Sequence, residues 1–143
     1  AAAIQQKALL FAQQANNEEV MAEIYENLGS ILEDKGLYDE AFLYFTKANN
    51  LYLVKGAQIA QIQVLNNLGD VFRKKGQVKQ GISYTLQAFE NARAFKHKYQ
   101  QQSALRDLSK CYALLGMYDS AYQKLEESRE LMQQIYAEET IRQ

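Results

Sequence analysis

Proline is absent from the 143 residues, glycine occurs only seven times, and there is one cysteine and one histidine. A single cysteine excludes an internal disulfide and a metal cage built from several cysteines. A single histidine excludes a histidine-rich metal site and leaves little basis for a Ser-His-Asp arrangement. Because no proline interrupts a helix and glycine is scarce, the composition is typical of an all-helical protein.

The charge balance and the hydropathy exclude two further classes of partner. Sixteen basic and 17 acidic residues leave a net charge of -1, so there is no bulk attraction to nucleic acid or to an anionic membrane. No run of about 18 apolar residues occurs, so nothing is predicted to span a membrane. We therefore expect no nucleic-acid partner and no membrane contact by this segment. With 48% hydrophobic residues, the chain can still bury a core.

The two ends of the sequence suggest a module. The chain begins with Ala1 instead of Met, and it stops inside a helical pattern at Gln143. We expect it to be part of a longer protein, in which targeting signals and any catalytic domain lie outside this sequence. A lone cysteine fits the cytoplasm, but a periplasmic sensor is also compatible, so the compartment stays open.

The glycines recur with a period of 40 residues. Six of the seven fall on one phase, and Gly56 is the exception. The clearest series are Gly36, Gly76 and Gly116, and Gly29, Gly69 and Ser109. A fixed period of this size predicts a stacked array of repeated units.

Each period is predicted to contain two helices. Apolar residues from Met21 to Leu32 step by three and four, which indicates one face of a first helix. Gly36 ends it, because the residue just past a helix often adopts a left-handed backbone that glycine takes without steric cost. A second helix follows from about Tyr38 to Val54. We divide the chain into the second helix of a truncated unit (1–17), a first unit (18–57), a second unit (58–97) and a third unit (98–139).

These residues resemble the tetratricopeptide repeat family. The family's Leu-Gly pair, followed by a small residue and an aromatic residue, is matched in the first unit by Leu28, Gly29, Ala41 and Phe45. The small residues Gly29 and Ala41 are where we expect the two helices of the pair to approach most closely. The resemblance implies an all-α fold, a right-handed superhelical array of antiparallel helix pairs with about seven helices. The long period and the missing proline resemble a longer-helix subgroup found in polarity adaptors, motor light chains and bacterial signalling proteins. Other helical repeats with periods near 40 are the alternative, although they lack this signature.

The resemblance also implies a binding groove, because the family builds its concave face from the first helix of each pair. The candidate peptide-binding residues are the polar residues at the inner positions of these helices: Glu23, Asn27, Ser30, Gln63, Asn66, Asn67, Asp70, Arg73, Ser103, Arg106, Asp107 and Lys110. In the longer-helix relatives, an Asn at the position of Asn27 and Asn67 pairs with the backbone of an extended peptide, since an amide both donates and accepts. The alternative is that these side chains are simply solvated.

The charge of the first unit argues against one known kind of ligand. Relatives that bind a C-terminal carboxylate need a basic residue in this part of the groove. The first unit instead offers Glu23, Glu26 and Glu33. We therefore predict no carboxylate clamp of that type.

No catalytic constellation and no cofactor site is visible in the sequence. His97 lies in a turn, and Cys111 lies on a first helix with no histidine nearby in the sequence. We expect a non-catalytic module that binds a protein or a peptide. The resemblance of the last unit to repeat arrays in bacterial signalling proteins implies the sensory or regulatory part of a larger protein, with a nucleotide cyclase, a histidine kinase or a DNA-binding regulator as its output.

A second hypothesis is a self-associating spacer that dimerises its parent protein through the terminal helices. A terminal repeat normally carries a polar outer face, but the last helix stays apolar to its end at Leu125, Leu131, Met132, Ile135 and Tyr136. We expect this face to be covered by a next unit, by a coiled-coil continuation or by a second copy of the chain.

Overall fold

A computed structural model describes residues 2–142, which form seven α-helices and no strand. The helices are α1 (Ala2–Gln14), α2 (Glu18–Asp34), α3 (Tyr38–Lys55), α4 (Gln58–Lys74), α5 (Val78–Ala94), α6 (Lys98–Leu114) and α7 (Tyr118–Arg142). Each helix packs against its neighbours in the sequence, and α4 also contacts both α2 and α6. This confirms the all-α class. Within residues 2–142, no helix is long and apolar enough to cross a membrane.

The first helix of each pair ends at a glycine, as predicted. Gly36 has a φ of 78°, and its N–H donates to the carbonyl oxygen of Glu33 at 2.9 Å. The N–H of Leu37 reaches back to the carbonyl oxygen of Leu32, also at 2.9 Å. This pair of bonds is a Schellman motif, which satisfies carbonyl groups that the helix itself leaves unpaired.

The turns between consecutive units use a left-handed residue as well. Gly56 has a φ of 68°, and the residues 40 positions away on either side, Asn16 and Lys96, have φ values of 55° and 61°. The glycine that stood outside the main phase is therefore one member of a second series of turns. Lys96 adopts a conformation that glycine would take with less steric cost.

Within the first unit, α2 packs against α3 at Gly29 with no room for a side chain. The ring of Phe45 fills this space, and a Cβ atom built on Gly29 would lie 2.8 Å from two of its ring carbons. Phe45 is fully buried, as are Ala41 and Ala48. The small residues of the repeat are therefore needed for close helix packing, as the sequence predicted.

Aromatic side chains join the first unit to the second. The rings of Phe42 and Phe72 meet edge to face with their centroids 5.5 Å apart, and Phe72 stacks on Tyr84 at 5.4 Å. Offset and edge-to-face pairs of this kind add to the stabilisation from buried area. Because these contacts link α3, α4 and α5, the two units share one continuous core.

The end of α7 corrects one expectation. Ile135 is buried, not exposed, and Leu131 and Met132 are partly buried. The first turn of α6 lies beside Ile135, where Lys98 pairs with Glu138 and the Tyr99 hydroxyl donates to Glu139. The large apolar side chains that α7 does expose are Tyr118, Tyr122, Leu125, Tyr136 and Ile141. Leu125 and Tyr136 were among the expected ones.

Candidate functional site

The candidate groove follows the first helices of the three units, α2, α4 and α6, which contact one another in sequence along the array. All twelve predicted peptide-binding residues lie on these helices. The exposed ones are Glu23, Asn27, Gln63, Arg106 and Lys110. The partly buried ones are Ser30, Asn66, Asn67, Asp70, Arg73, Ser103 and Asp107. None of the twelve is fully buried, so every one retains a surface that a partner could contact.

The two asparagines at the same repeat position differ in their surroundings. Asn67 donates from Nδ2 to Oε1 of Glu26 at 3.3 Å, and the other carboxylate oxygen of Glu26 accepts the Tyr52 hydroxyl at 2.8 Å. Asn27 is exposed and has no side-chain hydrogen bond among the described residues. Glu26 thus orients the Asn67 amide, while its remaining N–H and its oxygen stay available for a ligand.

Burial raises the pKa of Glu26 above its ordinary value of 4.5, and the negative charge of Glu23 raises it further. The hydrogen bonds from Tyr52 and Asn67 act in the opposite direction but only partly offset the burial. Burial and the neighbouring carboxylate also raise the pKa of the Tyr52 hydroxyl. Glu26 is therefore a carboxylate whose negative charge is incompletely compensated by its surroundings.

Sequence reasoning left Glu26 and Tyr52 out of the site. Glu26 was counted only among the acidic residues of the first unit, which argue against a carboxylate ligand. A signal was present, because Tyr52 occupies a repeat position that holds Ala92 in the second unit and Met132 in the third. Tyr52 is therefore a single large aromatic residue at this repeat position, and it is itself buried in the core.

The placement of Glu33 corrects another expectation. It was predicted to be exposed on the inner face, but only 10% of its side chain is exposed, and its carboxylate lies 3.0 Å from Nζ of Lys74. This ion pair crosses from α2 to α4, because the next unit brings a lysine over the end of α2. The acidic character of the first unit therefore comes from Glu23 and Glu26, nearer the other end of α2.

The groove carries mixed charge where α4 faces α6. Arg73 pairs with Asp70 at 2.9 Å. Burial raises the pKa of Asp107, as does the nearby Asp70, whereas Arg73 opposes the shift. Cys111 is buried beside this cluster, and burial raises the pKa of its thiol. The charged side chains of this cluster interact with one another, and the Cys111 thiol beside them is buried and is not activated as a nucleophile.

A pocket of about 450 Å³ opens on the acidic part of the groove. The start of α2, the end of α3 and the start of α4 enclose it, so it lies between the first and second units. Its apolar walls include Ala22, Leu51 and Ala60. Its polar residues are Glu18, Glu19, Glu23, Glu26, Tyr52, Lys55 and Gln63.

Comparison with known sequences identifies the repeat. A family profile described as tetratricopeptide repeat matches residues 59–134, and a second profile with the same description matches residues 22–53. The search of curated proteins gave no match. The profile evidence covers more than half of the chain and agrees with the resemblance drawn from the Leu-Gly pattern.

Solved structures share the fold at low sequence identity. BtubC (BKLC) from P. vanneervenii aligns with a TM-score of 0.85 and 17% identity, over 94% of this chain and 56% of that one. The TPR domain of Arabidopsis FLU aligns with a TM-score of 0.72 and 14% identity, over 79% and 95%. The Rap conjugation gene regulator of plasmid pLS20, in complex with the Phr* peptide, aligns with a TM-score of 0.77 and 21% identity, over 94% and 37%. This chain thus spans about half of BtubC and about a third of the Rap regulator.

Proposed function

Because the chain belongs to the tetratricopeptide repeat family, we propose that it is a non-catalytic interaction module that binds an extended protein or peptide segment along α2, α4 and α6. The observation that carries this proposal is the set of twelve polar side chains on these three helices, none of which is fully buried. Asn67 is central to it, since Glu26 holds the Asn67 amide at 3.3 Å. The peptide bound in the Rap regulator structure supports a peptide as the ligand class.

The proposal is tested by panning a random dodecapeptide display library on the immobilised chain. The groove variant is Asn27→Ala/Asn67→Ala/Arg106→Glu. The matched control, Asn50→Ala/Gln87→Ala, removes two amides from exposed positions on α3 and α5. We expect selected peptides to bind the wild type and the control equally and to lose affinity for the groove variant. Equal binding by all three folded proteins would place the ligand elsewhere and contradict the groove.

We also propose that the parent protein is a bacterial signalling protein and that this array is its sensory or regulatory part. The support is the likeness of the last unit to arrays in such proteins, together with the shared fold of the Rap regulator. The output would be a nucleotide cyclase, a histidine kinase or a DNA-binding regulator. Sequencing the gene tests this directly, because a reading frame that stops soon after codon 143 would leave no room for an output domain.

Self-association is a second candidate function, favoured by the exposed apolar stripe of α7. Tyr118, Tyr122, Leu125 and Tyr136 are 71%, 66%, 51% and 61% exposed, and they are spaced along one face of the helix. We propose that a second copy of the chain covers this stripe. Sedimentation equilibrium should then show a dimer that Tyr122→Ser/Leu125→Ser converts to a monomer. A wild type that stays monomeric at high concentration would refute the spacer.

A further inference from the structure

The pocket between the first and second units has apolar walls and a carboxylate deep on one side. Ala22, Leu51 and Ala60 provide the walls. Glu26 is partly buried, and its two oxygens accept one hydrogen bond each, from Tyr52 at 2.8 Å and from Asn67 at 3.3 Å. A carboxylate has lone pairs for about four hydrogen bonds. The pocket therefore presents an acceptor that its own residues leave half used.

Charge in the pocket is strongly one-sided. Four glutamates line it, against a single ammonium group, that of Lys55. Lys55 pairs with Glu18 at 3.3 Å, where both side chains are well exposed. Within residues 2–142, Glu23 makes no ion pair, and its charge contributes to the raised pKa of Glu26. A cation entering the pocket would relieve this repulsion.

The pocket is not a general property of the repeat. Glu26 corresponds to Asn66 in the second unit and Arg106 in the third, and Tyr52 corresponds to Ala92 and Met132. At the equivalent place between the second and third units, Gln58, Ile59 and Gln63 stand where Glu18, Glu19 and Glu23 line the pocket. Both the negative charge and the tyrosine that holds Glu26 are therefore confined to one end of the groove.

We propose that this pocket binds the side chain of an arginine in the partner segment, with the guanidinium group on Glu26 and Glu23. The aliphatic stem would lie against Leu51 and Ala60, since arginine buries its methylene groups while its charged end finds polar partners. A planar guanidinium donates two parallel hydrogen bonds to a carboxylate, which an ammonium group does not match. The inference rests on the proposed function, because it assigns the chemistry of one ligand residue in the same groove.

The proposal also fixes where the bound segment carries its positive charge. Its basic residue lies between the first and second units, and its backbone continues past Asn67 towards α6. An acidic residue at the pocket is excluded, because it would face four carboxylates. The pocket thus selects ligands by charge, whereas the asparagines contact backbone of any sequence.

The test uses N-acetyl-arginine N-methylamide as the probe, titrated into the ¹⁵N-labelled chain and followed by NMR. The neutral isostere, N-acetyl-citrulline N-methylamide, is titrated in parallel. We expect saturable shifts at the amides of Ala22, Ala57 and Ala60 with the arginine probe alone. The variant Glu23→Gln/Glu26→Gln should weaken that binding about tenfold or more. The control Glu40→Gln/Glu130→Gln removes the same charge from exposed positions on α3 and α7 and should bind as the wild type does.

Glu26→Gln keeps one oxygen that can accept from the Tyr52 hydroxyl, and its NH2 group can donate to the Asn67 amide oxygen if that amide turns over, so we expect the variant to fold, which circular dichroism checks. If it does not fold, the comparison of arginine with citrulline on the wild type still decides the question. Equal shifts with both probes, or shifts that the control variant loses equally, would overturn the pocket assignment. Probe binding without any peptide selected from the library would support the pocket and refute the proposed function. Peptides that are selected by the groove but show no enrichment in arginine would support the proposed function and refute the pocket assignment.

Discussion

The contact between Gly29 and Phe45 allows a sharp test of how the array packs. A Cβ atom on residue 29 would lie 2.8 Å from two ring carbons of Phe45, well inside the separation of about 3.5–4.0 Å at which carbon atoms attract. Phe45 has no exposed surface into which the ring could move. Gly29→Ala must therefore displace either the ring or α3.

Two opposing terms set the size of the effect. Alanine in place of glycine within a helix is favourable by about 1 kcal/mol. Overpacking in a well-filled core costs about 1–3 kcal/mol, and occasionally more. Because the overlap here involves a fully buried ring, we place the cost at the upper end. We expect Gly29→Ala to lower the free energy of unfolding by about 1–2 kcal/mol.

The third unit carries other residues at both positions of this contact. Ser109 stands at the position of Gly29, with its Oγ donating to the carbonyl oxygen of Ala121 at 2.7 Å, and Leu125 stands at the position of Phe45. Leu125 is 51% exposed, so the buried ring contact belongs to the first unit and is tested there. Phe45→Leu alone should cost about 1–2 kcal/mol, through lost buried surface and a small cavity. Combined with Gly29→Ala, it should cost less than the sum of the two single substitutions, because the smaller leucine side chain can turn away from the Cβ atom on residue 29 more easily than the ring can.

The assay is a double-mutant cycle by urea unfolding, followed by circular dichroism. The expected coupling between the two substitutions is about 1 kcal/mol or more in the favourable direction. The control pairs Phe45→Leu with Gly36→Ala. Gly36 has a φ of 78° and nothing within 4 Å of a Cβ atom, so its substitution is strained for a reason unrelated to the ring, and the effects should add. Additive energies for Gly29→Ala and Phe45→Leu would refute the argument from close approach.

Three further predictions follow from individual side chains. Lys96→Gly should raise the free energy of unfolding by about 0.5–1 kcal/mol, measured by urea unfolding, because it relieves a left-handed lysine at a φ of 61°; a loss of stability would contradict this. The difference in stability between Glu26→Gln and the wild type should shift in favour of the variant as the pH rises from about 4.5, the ordinary pKa of a glutamate, through the raised pKa of Glu26 in the folded state. Above that pKa the difference should stay constant. The sign follows because the folded wild type binds a proton more tightly than the unfolded chain and so loses stability as that proton leaves; a constant difference across pH would disprove it. The Cys111 thiol, 1% exposed, should react with Ellman's reagent about a hundredfold or more slower in the folded chain than in urea, and a fast native reaction would show that the site opens.

Much of the fold could be predicted from residue spacing. The Gly36 series predicted the helix ends, since a left-handed turn needs a residue without a Cβ atom, and those turns have positive φ values. The small residues at 29 and 41 predicted the close approach of α2 and α3, which Phe45 confirms. Such inferences succeed because they depend on local sterics and on one repeated interface, and both are visible in a single copy of the period.

The candidate site was less accessible to the same reasoning. The inner register placed the twelve polar residues on α2, α4 and α6, but whether they bind a peptide stays a proposal. Glu33 was expected in the groove as an exposed carboxylate, yet Lys74 of the next unit neutralises it. Ile135 was expected to need a cover from outside this sequence, yet it is already buried within the chain, beside the first turn of α6. Both errors concern residues roughly 40 positions apart. The repeat period predicts that such residues lie near one another, but it does not predict which side chain each of them contacts.

The sequence by itself determined the period, the helix ends, the small residues at the helix crossings and the absence of any bulk charge. These depend on residue type at fixed spacing, and physical chemistry restricts them to few outcomes. Only the tertiary structure decided that Tyr52 and Asn67 both donate to Glu26 and that a pocket of about 450 Å³ lies beside it. The reason is that burial, and with it the pKa and the charge compensation of a carboxylate, depends on atoms that three separate helices bring together.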